Sequence, residues 1–266
     1  ERSDSPVARR RIDRIRELIF LARLPSILEV LQSRVANVAA SISYVGPARA
    51  NSERYYRIRE LAVDQIDPRG ENLAMFLNSL SEFEKTQFSD WVERSVGHAV
   101  KVIKDAGHVQ LHLREQSSDA FHNLADTGYG FSQILPVLAQ LWAKDRRRPR
   151  YMSSGLSIVA IEQPELHLHP AYQAQLADVF VNSIGGSTSG PGRRNQSKFV
   201  IETHSEAFIN RMGELIYEGK VKPEDVNVLV FEKSDRSEET SVSVAKFDDE
   251  GILMNWPQGF FARRRP

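Results

Sequence analysis

The chain has 266 residues, of which 41% are hydrophobic and 26% are charged, and its formal net charge is zero. These values are typical of a soluble globular protein with a sizeable core, and the absence of cysteine excludes disulfide bonds and cysteine-bound zinc. No apolar run approaches the ~20 residues of a membrane span, and the first residues lack a signal-peptide pattern, so we expect a soluble, cytoplasmic protein.

Positive charge is concentrated at the start of the chain. Residues 1–60 contain twelve Arg and no Lys against seven Asp and Glu, and further arginines cluster at 146–150, 193–194 and 263–265. Arginine binds phosphate through forked hydrogen bonds, although such clusters are also common on solvated faces. Zero net charge argues against a dedicated nucleic-acid surface, so DNA is a candidate partner and not the default one.

The first 123 residues mix helical and strand patterns. Apolar spacing predicts helix over Pro6 to about Ala40, which we expect Pro25 to break into two. Period-two alternation marks the strands, and Gly-Pro pairs mark the turns. The other elements predicted here are a strand over 41–45, a turn at 46–47, a loop over 51–59, two helices between Asn72 and Val102, and a half-buried strand over 109–114 with His112 on its polar face.

From residue 124 the pattern changes to short apolar strands followed by helices. Strand–helix alternation with short links predicts an α/β fold with a mainly parallel sheet flanked by helices, and with a helical insertion before it. We divide the chain into a helical segment (1–40), a mixed strand and helical subdomain (41–123) and an α/β core (124–266). The core elements predicted are helices at 132–144, 170–184 and 205–217, strands at 156–161, 198–202, 226–232 and 240–247, and a flexible loop at 185–197.

Two of the predicted strands end in side chains that carry chemistry. The apolar strand before Glu162 and Gln163 is followed, about forty residues later, by a strand that runs into Glu202-Thr203-His204. Ligands bind at the carboxyl ends of strands in parallel α/β sheets. If the two strands are neighbours, Glu162, Gln163 and His204 converge on one edge, which is how P-loop nucleotidases hold Mg²⁺ and sense the γ-phosphate.

A glycine-containing loop precedes these strands. Gly128 and Gly130 allow close approach of a ligand to the backbone, and we expect Ser132 to cap the following helix. A helix N-terminus with free N–H groups and a hydroxyl can bind an anion. An ordinary loop with a helix cap explains the same residues.

Taken together, the three segments resemble the ABC-type ATPases, and more narrowly the bacterial AAA/OLD-like, SMC-related family. Pro-Glu-Leu-His-Leu-His-Pro (164–170) is similar to the segment after the Walker B strand, and Thr-His-Ser (203–205) to the switch-histidine motif. Tyr44 to Arg49 and Asn255 to Phe261 give softer support, so the resemblance covers most of residues 41–261. It implies a partial P-loop ATPase fold, ATP and Mg²⁺ as ligands, and a homodimer or higher oligomer with composite sites.

The resemblance also assigns roles to single residues. By position, Glu162 matches the Walker B acid that holds Mg²⁺ through water, Gln163 the acid that orients or deprotonates the attacking water, and His204 the switch histidine that contacts the γ-phosphate. The loop from Gly128 to Gln133 resembles the signature motif, which touches the ATP of the opposite subunit. Its register is open, so both Thr127 and Ser132 are candidates for the hydroxyl that contacts phosphate. The residues expected to line the dimer interface or to shape the loop are Glu165, His167 and His169.

Gln163 departs from the family pattern. A glutamine can position a water molecule but cannot accept its proton. Gln163 either positions water naturally, with Glu162, Glu165 or His204 assisting, or replaces an acid to trap an ATP-bound state; we favour a natural glutamine.

The phosphate loop is the second departure. The pattern G-x-x-x-x-G-K-[ST] does not occur in the sequence. We therefore expect this chain to be the C-terminal part of a longer ATPase, with a degenerate, non-hydrolysing protein as the alternative. In a family common in phage-defence and DNA-maintenance operons, hydrolysis would drive a DNA-directed or defence complex.

Two other classes of function stay open. An interaction module would bind a nuclease, another effector protein or DNA and hydrolyse nothing alone. A metal-dependent hydrolase would use Glu162, His167 and His169 as ligands, with Glu165 and His204 in support.

Overall fold

The computed structural model describes residues 6–47, 49–58, 63, 65–146, 157–185, 197–233 and 239–256. Residues 186–196 of the loop predicted over 185–197, the arginines at 147–150, 193–194 and 263–265, and the segment 257–261 lie outside these residues. The helices are α1 (Pro6–Ala40), α2 (Leu73–Ser79), α3 (Glu82–Val96), α4 (Tyr129–Arg146), α5 (Pro170–Gly185) and α6 (Glu206–Tyr217), with 3₁₀ turns at Leu124–Asp126 and Pro223–Asp225. The strands are β1 (Ile42–Val45), β2 (Tyr56–Arg57), β3 (His98–Asp105), β4 (His108–Glu115), β5 (His122–Asn123), β6 (Ser157–Glu162), β7 (Ser197–Glu202), β8 (Val228–Lys233), β9 (Thr240–Phe247) and β10 (Leu253–Met254).

The described strands form three sheets. The first is parallel, in the order β1-β6-β7, and confirms the α/β class. The second joins β2, β4 and β3 with β5 paired to β4, and the third has the order β10-β9-β8; both are antiparallel. Parallel pairing is therefore confined to the sheet that carries the predicted strand-end chemistry.

The parallel sheet is covered by core residues on one face. Val45, Val159 and Ile161 are each 1% exposed, and they belong to the core that includes the apolar residues of α4 and α5. The opposite face carries Tyr44 and Val200, which are 44% and 60% exposed. This bare face is unusual for a parallel sheet, since such sheets are normally covered on both sides.

Helix α1 is one continuous helix, so the predicted break at Pro25 is wrong. An interior proline removes one backbone hydrogen bond and bends a helix, but the helix can continue past it. The same occurs at Pro136 inside α4. The described apolar side chains of α1 are exposed apart from Leu24, which is partly buried, whereas the central helix α4 is buried from Phe131 to Ala139. No helix among the described residues has both the length and the apolar character needed to cross a membrane.

One further boundary differs from the sequence prediction. The second helix predicted before Val102 ends instead at Gly97, which adopts a left-handed conformation (φ +72°) as a C-cap, and residues 98–102 lie in β3. Ser81 and Glu84 form a capping box that begins α3. The predicted strand at 109–114 and the helices at 170–184 and 205–217 are confirmed to within two residues.

Ionic and apolar contacts join α5 to α6. The Arg211 guanidinium donates two hydrogen bonds to the Asp178 carboxylate, at 2.9 and 2.8 Å, and this forked pair is half-buried. Arg211 also donates hydrogen bonds to Glu214 and Glu218, and the hydrogen bonds with Asp178 first, then with Glu214 and Glu218, raise the pKa of its guanidinium. This ion pair therefore joins α5 to α6.

Prediction: Gly213 in α6 cannot be replaced by alanine without loss of stability. A Cβ at this position would collide with the carbonyl oxygen of Gly251, which precedes β10. Alanine raises helix propensity by about 1 kcal/mol, but a collision with backbone outweighs this gain, and we expect a net loss of about 2 kcal/mol. Urea denaturation measures the change. The control is Gly46→Ala, whose Cβ would meet its nearest atom at 3.7 Å; equal stability of the two variants would contradict the packing of α6 on this turn.

Candidate functional site

The parallel pairing of β6 with β7 brings the predicted strand ends together. Glu162 is the register partner of Glu202, and the Gln163 N–H continues the ladder by donating to the Glu202 carbonyl oxygen at 2.8 Å. The expectation that Glu162, Gln163 and the segment of His204 converge on one edge is confirmed.

A tyrosine from β1 completes this edge. The Tyr44 hydroxyl donates to Glu162 Oε1 at 2.8 Å. This hydrogen bond, reinforced by the negative charges of Glu162 and Glu202, raises the pKa of the Tyr44 phenol above its usual value. Three neighbouring strands thus contribute two carboxylates and one phenol to the carboxyl edge of the sheet.

The backbone reverses direction immediately after β6. Gln163 has φ +43° and His167 has φ +65°, so two residues with side chains adopt the left-handed region within five positions. Each such residue costs on the order of 1–3 kcal/mol and persists only where the surroundings hold it. Turn hydrogen bonds from Leu166 N–H to Gln163 O and from Leu168 N–H to Glu165 O close the segment.

Arg49 lies beneath this turn. Its Nη2 donates to the carbonyl oxygens of Glu162 (3.0 Å) and Gln163 (3.2 Å), and the residue is only 4% exposed. Its Nε and Nη1 are buried and have no hydrogen-bond partner among the described residues. Burial lowers the pKa of the guanidinium to about 10, and the nearby Glu165 charge opposes this shift.

Glu165 links the turn to the segment that contains His204. Its Oε1 accepts a hydrogen bond from the His204 backbone N–H at 2.7 Å, and the residue is 7% exposed. The His204 side chain is exposed. Ser205 follows as the N-cap of α6: its Oγ accepts from Phe208 N–H and donates to Gln173 of α5. His204 therefore presents its imidazole from a backbone that is fixed on both sides.

The glycine loop packs against the same turn. Gly128 has φ +87° and is followed by the first turn of α4. A Cβ on Gly130 would lie 3.2 Å from His167 O, so α4 approaches the turn after β6 closely enough to favour glycine. Gln133 is buried and its Nε2 donates to the Arg49 carbonyl oxygen at 3.4 Å.

The expectation that Ser132 caps this helix is wrong. The helix begins at Tyr129, so Ser132 lies inside its first turn and is 3% exposed. Thr127 is half-buried, and its hydroxyl donates to the Leu124 carbonyl at 2.9 Å. Of the two predicted phosphate-contacting hydroxyls, Thr127 is the more accessible.

The histidines after β6 do not form a metal site with their neighbours. His169 precedes α5 and its Nδ1 accepts from the Ala171 N–H at 3.3 Å, which caps the helix. His167 is exposed in the left-handed turn. In the described ranges, which include all five proposed ligands, no group of three or more His, Asp or Glu side chains is placed to hold a metal ion. The geometry does not support the hydrolase hypothesis that uses Glu162, His167 and His169.

Sequence reasoning missed three residues of this site. Tyr44 and Arg49 were noted only as parts of the segment that resembles the family, and Glu202 only as part of the strand end. Tyr44 and Glu162 are 118 positions apart, and Arg49 and Glu162 are 113 apart. The signal available in the sequence was an arginine two residues after a Gly-Pro turn that ends an apolar strand.

Two families match the chain. Residues 9–210, more than half of it, match the family described as "AAA domain, putative AbiEii toxin, Type IV TA system", and residues 221–262 match "Protein of unknown function (DUF3696)". No curated protein matches the chain.

Solved structures similar to the chain include heads of SMC proteins. The structure titled "Crystal structure of the SmcHead bound to the C-winged helix domain of ScpA" is 12% identical, with 69% of this chain and 48% of that chain covered and a TM-score of 0.42. A chain from "Structural biochemistry of ATP-driven dimerization and DNA stimulated activation of SMC ATPases" is 15% identical, with 63% and 84% covered and a TM-score of 0.40. An Smc head domain from Pyrococcus yayanosii is 16% identical, with 68% and 29% covered and a TM-score of 0.40. This chain spans about half the length of the first of these structures.

Prediction: the Tyr44 phenol titrates above its usual pKa, and Glu162→Gln lowers its pKa towards the usual value. The raised pKa means that the folded protein favours the neutral phenol, so its contribution to stability is complete below pH 10 and is lost as pH rises through the raised pKa. Carbon-13 NMR of tyrosine Cζ measures the pKa, with Tyr44→Phe assigning the signal. The control is Glu250→Gln, an exposed acid outside the parallel sheet. An unchanged Tyr44 pKa in Glu162→Gln would show that the hydrogen bond does not form in solution.

Proposed function

Because the chain belongs to the AAA-domain family whose description names a putative AbiEii toxin of a type IV TA system, we propose that it binds ATP with Mg²⁺ and hydrolyses it at the carboxyl edge of β1, β6 and β7. Membership in this family makes it an AAA-type ATPase domain, agrees with the resemblance of its motifs, and implies nucleotide binding. The observation that carries the proposal is the parallel register of Glu162 with Glu202, because it unites the Walker-B-like and switch-histidine-like strand ends.

The residues at this edge fit a divalent cation. Glu162, which is half-buried, supplies carboxylate oxygens, the ligands that Mg²⁺ prefers, while the exposed Glu202 beside it adds negative charge but is not a ligand. Tyr44 occupies one oxygen of Glu162 and thereby orients the carboxylate. When bound, Mg²⁺ neutralises phosphate charge, and Glu162 holds it through water.

Gln163 orients the attacking water in this proposal. Its amide oxygen accepts a hydrogen bond from the water, but it cannot take the proton. Of the proposed assisting acids, Glu165 is buried and already bonded to the His204 N–H. Glu202, the exposed register partner of Glu162, is a carboxylate available for the proton.

His204 stabilises the γ-phosphate. An exposed imidazole on a fixed backbone can donate a hydrogen bond to the charge that develops during phosphoryl transfer. The β- and γ-phosphates also need a main cradle, and the G-x-x-x-x-G-K-[ST] pattern does not occur in this sequence. Activity is therefore best tested on the natural gene product that contains this chain.

The proposal includes a homodimer with composite sites. Its support is the resemblance of the loop from Gly128 to Gln133 to the signature motif, which touches ATP on the opposite subunit. Thr127 and the backbone at Gly128 and Gly130 are the groups we assign to that contact. Glu165, His167 and His169 lie in or beside the turn against which this loop packs, and we place the turn at the dimer interface.

The proposal extends to a DNA-directed or phage-defence complex that the ATP cycle drives, with a nuclease or other effector protein as partner. The description of the family, which names a putative toxin of a type IV TA system, supports a defensive role. Exposed arginines of α1, including Arg10, Arg11, Arg23 and Arg34, supply positive charge that phosphate backbones attract.

The rate of ATP hydrolysis, measured with and without duplex DNA, tests the DNA-directed part of the proposal. Faster hydrolysis with DNA supports this part, and an unchanged rate removes DNA from the proposal.

Prediction: in the natural gene product, His204→Ala lowers kcat for ATP hydrolysis about 100-fold, because one donor to the developing charge is lost. Gln163→Glu raises kcat at least about tenfold, because a carboxylate can accept the proton. Steady-state phosphate release measures both. The control is His122→Ala, an exposed histidine on β5 in another sheet. Normal hydrolysis by His204→Ala would contradict the site, and ATP binding without hydrolysis by the parent protein would favour an interaction module.

Prediction: ATP with Mg²⁺ converts the Gln163→Ala gene product, which cannot orient the attacking water, from monomer towards dimer. Light scattering after size exclusion measures the mass. The matched variant Gln163→Ala/Thr127→Arg places a bulky charge beside the glycine loop and should stay monomeric while still binding ATP. A monomer at saturating ATP in the Gln163→Ala protein would contradict the composite site.

A further inference from the structure

Arg49 is a buried charge that the proposed reaction does not use. It is 4% exposed, and among the described residues its Nε and Nη1 have no hydrogen-bond partner. A buried arginine with unpartnered donors is unfavourable for stability compared with an apolar residue of similar size. Its presence here calls for a role that an apolar side chain could not perform.

The contacts of the third guanidinium nitrogen, Nη2, indicate that role. Arg49 Nη2 donates to the main-chain oxygens of both Glu162 and Gln163, which belong to the two peptide groups that flank the Gln163 α-carbon. The Gln163 N–H in turn donates to Glu202 O. The peptide groups before and after the Gln163 α-carbon are thus hydrogen-bonded from two directions, which holds φ of Gln163 at +43°.

Arg49 is itself held firmly. The N–H groups of Gly46 and Ala50 donate to the carbonyl oxygens of Pro68 and Arg69, at 2.9 and 2.8 Å. Gln133 of α4 donates to the Arg49 carbonyl oxygen. The backbone that carries the guanidinium is therefore hydrogen-bonded both to the segment of Pro68 and Arg69 and to α4. This anchoring fixes the position from which Arg49 holds the turn.

Glu165 is the second buried charge in the turn. It receives the His204 N–H on Oε1, its Oε2 has no partner among the described residues, and its charge acts on Arg49. Movement of the turn that Arg49 holds would move Glu165 and, with it, the backbone of His204. One contact network consequently connects both residues that face the γ-phosphate in the proposed reaction.

We propose that Arg49 is a positioning residue that holds the turn after β6, so that Gln163 and, through Glu165, His204 keep their places relative to the bound nucleotide. The inference rests on the proposed ATPase function for its catalytic consequence, but its structural content does not depend on nucleotide. Arginine is required because one guanidinium nitrogen must reach two carbonyl oxygens while the planar group stays fixed; the single flexible ammonium of lysine does not reproduce this.

The first experiment measures ATP turnover by the natural gene product. Arg49→Met should lower kcat between about 10- and 100-fold with little change in KM, as expected for a residue that orients reacting groups without touching them. Arg49→Lys should keep the fold and restore only part of kcat. The control is Arg211→Met, which removes the half-buried pair with Asp178 and should lower the melting temperature without lowering kcat.

The second experiment needs no nucleotide. Amide hydrogen exchange, followed by nitrogen-15 NMR, should be faster at Gln163 and His204 in Arg49→Met and Arg49→Lys than in the parent protein, and unchanged there in Arg211→Met. Parental exchange rates and parental kcat in Arg49→Lys overturn the proposal, even if Arg49→Met does not fold. If the parent protein binds no ATP, the proposed function fails, and the exchange rates alone decide whether Arg49 holds the turn.

Discussion

The parallel register between β6 and β7 is the constraint on which the candidate site depends. Because Glu162 pairs with Glu202, the two strands end level with each other, and the chain turns directly after β6 through the left-handed Gln163. The Gln163 N–H uses the last hydrogen-bonding position of the ladder. A shift of one residue would move Glu162 to the core face, where Val159 and Ile161 pack, and would bury an unpaired carboxylate. Core packing therefore fixes the register of β6 against β7, and this register determines where Glu162, Gln163 and Glu202 lie.

Local patterns in the sequence predicted the elements around this site well. The apolar strands before Glu162 and Glu202 and the helices after them follow from hydrophobic periodicity and from proline and serine at helix starts. Their adjacency was only a condition in the sequence analysis; the rule that ligands bind at the carboxyl ends of parallel strands supplied its consequence, and the pairing of β6 with β7 meets the condition. The edge that unites Glu162, Gln163 and the His204 segment was thus predictable without coordinates.

Elements whose form depends on distant contacts were not predictable in this way. The apolar residues of β3 also fit a helical pattern, and it is the antiparallel pairing with β4 that makes this segment a strand. Helix α4 begins at Tyr129, before the predicted start at Ser132, because Gly128 supplies the left-handed residue that precedes the helix. Arg49 and Tyr44 reach Glu162 from more than a hundred positions away, and nothing in the local sequence indicates that one is buried and the other exposed.

The left-handed conformation of Gln163 has an evolutionary consequence. Its geometry is maintained by main-chain hydrogen bonds and by Arg49, so the backbone makes no use of the side-chain amide. Glutamine and glutamate have nearly the same shape, and one nucleotide change interconverts them. An ancestor could therefore exchange a proton-accepting acid for a neutral amide, or regain the acid, without refolding the turn. In the proposed reaction, the rate set by this residue could therefore differ between lineages while the architecture stays constant.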